Sequence, residues 1–136
     1  MKIINETYGF CFEMPDRYSE VKQEEYEEFN TDGSALYVFE AGDDLLSFNY
    51  SGKAAFYEST VKGNIEAFKG IGVNLVDRFD EENICILHLE FKPLKLVSMF
   101  VKVNEIVIAV SIEVKEFNGE KEVELKTILK SFKSLW

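Results

Sequence analysis

The sequence predicts an α+β fold: a mostly antiparallel sheet of five or more strands with two packed helices, an α/β/α sandwich. Three observations predict it. Apolar residues alternate with polar ones along several short runs, which is strand periodicity. Two other stretches carry apolar residues at steps of three and four, which is helical spacing. Tight turns join the strand runs, so neighbouring strands run antiparallel and the helices are left to cover the sheet.

The first run is Gly9–Met14. It puts Phe10, Phe12 and Met14 on one face and Cys11 and Glu13 on the other. Pro15 cannot donate to a sheet ladder, so the strand ends there. Pro at the second position of Met14-Pro15-Asp16-Arg17 suits a type I turn. Tyr18 then supplies a ring to cap the core, with its hydroxyl expected in water. Glu20–Asn30 is highly charged and reads as an edge strand. Thr31-Asp32-Gly33-Ser34 marks a turn. The runs ALYVFEA and LLSFNYS form a hairpin about Gly42-Asp43-Asp44.

The period then changes. Ala54, Tyr57, Val61, Ile65 and Phe68 predict a helix near 54–69, weakened by Gly63 and stopped at Gly70 or Gly72. Four more strands follow in VNLVDRF, ICILHLEF, LVSMFVKV and IVIAVSIEV. Val103-Asn104-Glu105-Ile106 allows a two-residue loop with Asn104 left-handed. That pairing puts Val97, Met99, Val101 and Val103 on one greasy face with Ile106, Ile108, Val110 and Ile112. The opposite face is mixed. Leu125, Ile128, Leu129, Phe132, Leu135 and Trp136 predict a second helix near 120–134.

The 136 residues fit one domain, 1–136. Hydrophobic residues make up 46%, which excludes intrinsic disorder. The net charge of −10 repels phosphate backbones and anionic lipid surfaces, so no nucleic acid is expected as a partner. No apolar run approaches the ~20 residues that span a bilayer, so no membrane insertion is expected. No leader-like apolar stretch follows Met1, and the protein reads as cytoplasmic.

The motif GFCFEMPDRY, with the hairpin, helix, meander and terminal helix that follow, resembles the PsbP-like superfamily, which includes PsbP, Mog and the bacterial DcrB-like proteins. Members open on an aromatic-alternating strand, a proline, a turn and a tryptophan. Tyr18 stands here at the tryptophan position, and Asp16-Arg17 replaces a glycine-containing turn. The resemblance implies the sandwich and a non-enzymatic domain that binds a protein, as an adaptor or chaperone. It supplies no catalytic residues.

Nothing in the residues argues for chemistry. His88 is the only histidine, and its register puts it on the face opposite Cys85. A Cys–His pair needs hydrogen-bond reach. Two distant cysteines and one histidine do not make a zinc site. No phosphate loop or dinucleotide fingerprint is present, so no cofactor is expected. The acidic segment Glu20–Asp44 is the feature left over, with nine acids and Lys22 as its only base. Charged runs ordinarily face water and keep strand edges apart. The same run would steer a basic or amphipathic partner. The candidate binding residues are Glu24, Glu25, Tyr26, Glu27, Glu28 and Phe29. The alternative is a small-molecule pocket lined by the dense aromatics, among them Tyr37, Phe39, Phe48, Tyr50, Phe56 and Tyr57; as core residues these would instead fill the interior.

Overall fold

The structure, a computed structural model, describes residues 1–27, 33–113 and 117–136. Ten strands and three α-helices are assigned among them. In chain order these are β1 (Lys2–Asn5), β2 (Phe10–Glu13), β3 (Ser19–Glu20), α1 (Gln23–Tyr26), β4 (Ala35–Ala41) and β5 (Asp44–Lys53). A 3-10 turn at Ala54–Phe56 leads into α2 (Tyr57–Gly70). Then come β6 (Asn74–Glu81), β7 (Ile84–Phe91), β8 (Leu94–Val103), β9 (Ile106–Glu113), α3 (Gly119–Lys130) and β10 (Lys133–Ser134).

Seven strands form one sheet in the order β3-β4-β5-β9-β8-β7-β6, and every pairing in it is antiparallel. The α+β fold follows as the alternation predicts. Val103 pairs with Ile106, and Asn104 takes a φ of 54°, so the two-residue turn between β8 and β9 is the one expected. A second sheet, in the order β1-β2-β10, lies over the large one.

The two faces of the large sheet bury separate cores. On one face Met99, Val101, Ile108 and Val110 meet Phe10 and Phe12 of the small sheet, Met14 just after it, and Leu125, Ile128 and Leu129 of α3. On the other, Cys85, Leu87, Leu89, Phe100 and Val107 meet Val61 of α2. Strand alternation does the sorting, since successive side chains point to opposite faces. Phe12 is the hub of the first core. It stacks on Phe132 at 4.4 Å and 4°, and touches Phe10, Phe39, Phe48 and Tyr37 at centroid distances of 5.1–6.3 Å.

Helix α2 ends as its glycines suggest. Gly72 sits at φ 86°, its N–H donates to the carbonyl of Lys69, and the N–H of Val73 donates to that of Phe68. This is a Schellman stop, with Val73 and Phe68 both packed in the second core. Gly63 lies inside the helix, and a Cβ there would meet nothing within 4 Å. Gly63→Ala is therefore expected to raise stability by about 0.5–1 kcal/mol, read from the denaturant midpoint at unchanged slope.

Four expectations need correction. The terminal helix stops at Lys130, not near 134. The Ser131 hydroxyl bonds the carbonyl of Ile128 at 2.5 Å, and the N–H of Glu13 donates to the same hydroxyl at 2.8 Å. The chain then leaves the helix and pairs beside β2, so Phe132 reaches the core from a turn. Leu135 and Trp136 do not continue a buried face; they are 43% and 79% exposed. The proline turn is displaced by one residue: its bond runs from Tyr18 N–H to the Pro15 carbonyl, with Asp16-Arg17 at the centre. The Tyr18 hydroxyl is not wet, as described below. Finally, among its described residues the charged run is an edge strand only at its start: Ser19–Glu20 pair with β4, Val21 adds one backbone bond, and Gln23–Tyr26 are helical. The part of that run at 28–30 and Thr31-Asp32 of the expected turn lie outside the described residues; Gly33, at φ 67°, fits a turn.

Candidate functional site

The acidic candidates sit at the β3 end of the large sheet. Ser19 and Glu20 pair with Glu40 and Phe39 of β4, and Val21 N–H donates to the Val38 carbonyl at 2.8 Å. This tether holds α1 against the sheet edge. Glu24 and Glu25 occupy the first turn of α1, where carboxylates suit the helix dipole. Glu20, Glu24, Glu25 and Glu27 are exposed, and none makes an ion pair with a described residue. Tyr26 is half-buried. Burial first, and then the nearby Glu20, push its phenol above the usual range. The structure thus brings Glu24, Glu25, Tyr26 and Glu27 onto one short segment. Glu28 and Phe29 lie outside the described residues.

Ahead of β3 in the chain is a polar cluster that sequence reasoning missed. Arg17 Nη2 donates to Glu124 Oε1 at 2.5 Å and to the Tyr18 hydroxyl at 2.8 Å, while that hydroxyl donates to Glu124 Oε1 at 2.9 Å. Asp44 accepts from Arg17 at 3.5 Å and pairs with Lys121. Tyr18 is 3% exposed, so its hydroxyl needs a partner, and the guanidinium–carboxylate pair provides two. Burial, then Glu124, raises that phenol to about 12. The hydrogen bond from Arg17 holds Glu124 below the usual carboxylate range. The only sequence signal was an acid and a base three apart on α3, Lys121 and Glu124, a spacing common on any helix surface.

The histidine and the two cysteines are kept apart from one another. His88 Nε2 lies 2.9 Å from Glu122 Oε1 of α3, and Lys126 approaches the same carboxylate at 3.8 Å. This is a bridge between sheet and helix. Cys85 is fully buried on the opposite face, and burial lifts its thiol to about 12, far from the thiolate a nucleophile needs. Cys11 is buried on β2, between Ile4 and Lys133 of its neighbouring strands. Among the described residues no group of three His, Cys, Asp or Glu side chains is placed to hold a metal. The aromatics Phe39 and Phe48 fill the first core around Phe12, and Tyr50 stacks on Tyr8 at 5.5 Å. Phe39 and Phe48 are interior, Tyr50 is half-buried, and Phe56 is 60% exposed, so these rings do not share one cavity wall.

No protein-family model matches the sequence, and no curated protein matches it. Among solved structures, the chain is similar to the solution structure of cyanobacterial PsbP (CyanoP) from Synechocystis sp. PCC 6803. The TM-score is 0.63 over 98% of this chain and 91% of that one, at 12% identity. The fold is PsbP-like. At this identity the likeness carries the architecture and no residue's role. No helix among the described residues is long and apolar enough to cross a membrane.

Proposed function

We propose that this PsbP-like chain is a single non-enzymatic interaction domain, cytoplasmic, that binds a protein with a basic or amphipathic surface. The observation that carries the reading is the α1 shelf. It offers Glu24, Glu25 and Glu27 exposed and unneutralised by any described residue, around the half-buried ring of Tyr26. Glu28 and Phe29 continue the same stretch of sequence. Acids around an apolar centre act chiefly on approach rate and selectivity. The enclosure of Cys85 and the engagement of His88 by Glu122 support the same reading, since each group is held in a structural contact.

The test is reversal of Glu24, Glu25, Glu27 and Glu28 to lysine. The melting temperature should hardly move, because exposed substitutions fall within about 0.5 kcal/mol. Capture of the partner should fall, and most at low salt, where screening is weakest. Cys11→Ser, Cys85→Ser and His88→Ala should retain it. A silent charge reversal beside a folded cysteine or histidine variant that has lost function would overturn the proposal.

A further inference from the structure

The large sheet has two edges, and they are finished differently. At one, β3 is two residues long and α1 follows it. At the other, β6 runs for eight residues, six of them exposed. No backbone group among the described residues pairs with its outer side. Part of it is apolar. Leu75 is 39% exposed and Val76 is 62% exposed. Leu75 begins a row that continues through Leu89 and Leu96 of the neighbouring strands and is open at the edge. A bare, partly apolar strand edge is a template for another strand.

The main chain shows which groups are offered. The amide of Arg78 is taken by the carboxylate of its neighbour Asp77 at 2.9 Å, so it points away from β7. Antiparallel alternation places the amide of Asp80 outward as well. The charges choose the occupant. Glu58, Asp77, Asp80, Glu81 and Glu82 surround the strand, against Arg78 and Lys130; two bases less five acids leave −3. A second copy would bring the same charge to the same place. An extended segment with basic and apolar side chains avoids that repulsion, and its pairing falls on Asp77–Glu81, past the bulge between Leu75 and Asp77.

We propose that the outer edge of β6 is a strand-addition site for an extended segment of another protein, apolar where it lies along Leu75 and Val76 and basic where it lies along Asp77–Glu81. Main-chain hydrogen bonds to the Asp80 amide and to the outward carbonyls of Arg78 and Asp80 give the pairing, and the acids give the selectivity. This site is at the opposite edge of the sheet from α1, so it stands or falls apart from the shelf.

The test uses the full chain and a short, end-capped peptide of alternating valine and lysine. Its controls are the same peptide N-methylated at every second residue and a valine–glutamate counterpart. Binding should be saturable and should slow hydrogen exchange at the Asp80 amide about tenfold. N-methylation should weaken it about tenfold or more, and the glutamate peptide should not bind. Asp80→Pro removes an outward donor without touching the ladder to β7, and should abolish the binding. Asp80→Lys keeps the N–H, reverses the charge and should weaken binding should the proline variant not fold. The proposal is overturned by equal binding of the N-methylated or glutamate peptide, by protection confined to residues 20–27, or by no saturable binding. Protection of β6 that rises with protein concentration alone would assign the edge to a second copy and also overturn it.

Discussion

Phe12→Ala is expected to lower stability by about 3–5 kcal/mol, the range for removing a fully buried ring and leaving its cavity. Phe12 is 1% exposed and holds together residues from β4, β5 and the turn after α3. The surrounding rings are large and held by separate elements, so they cannot collapse into the space. Phe132→Ala removes the ring stacked on Phe12, but Phe132 is half-buried and its loss should cost less. Urea denaturation of the two variants decides the order. A loss under about 1 kcal/mol for Phe12→Ala would be typical of a surface change and would mean the aromatic hub is misplaced.

Glu124→Ala is expected to cost about 1–3 kcal/mol at neutral pH, because the Tyr18 hydroxyl is buried and loses the acceptor it donates to. The partly exposed Arg17 adds little of its own, since water can take its place beside the guanidinium. The pH dependence has a definite sign. Glu124 is held below its ordinary value in the folded protein, chiefly by Arg17. Its contribution is therefore complete above the unfolded-state pKa, about 4.3 for a glutamate, and is lost as pH falls through the lower folded value. Glu124→Gln should flatten the acid limb of the stability curve while leaving its upper side level. Melting temperatures across an acid pH series check this. An acid limb as steep as that of the parent would remove Glu124 from the cluster.

The parts of the fold that could be read from the sequence are those with a local signature. The alternation through Ile84–Glu90 and Val97–Ile112 sorts residues onto the two faces they occupy, because period two leaves no other choice. The stripe from Tyr57 to Phe68 with Gly72 behind it spells out α2 and its stop. What escaped is long-range. The four residues Lys2–Asn5 carry no strand signal of their own and become β1 only through Phe10–Glu13. Helical spacing continues past Lys130, yet a bond between Ser131 and Glu13, 118 residues apart, ends the helix. The acceptor for the Tyr18 hydroxyl lies 106 residues away, beyond any window of periodicity. The candidate site divides in the same way. The acids of α1 were visible as a run, whereas the bare edge of β6 exists only once the strand order is known.

The two cores share a backbone and almost no side chains. Phe12, Met99 and Leu125 belong to one, Val61, Leu87 and Phe100 to the other, and the pleated strands stand between them as a partition. Each compartment can then drift by its own volume-conserving exchanges, since a changed side chain on one face need find compensation only among neighbours on that face. Lineages carrying such a sheet can rewrite one side while the other stays in register, and later rewrite the second. Over enough time little of the original lettering survives, while the strand order does. This gives a physical route by which one architecture outlasts nearly all of its sequence.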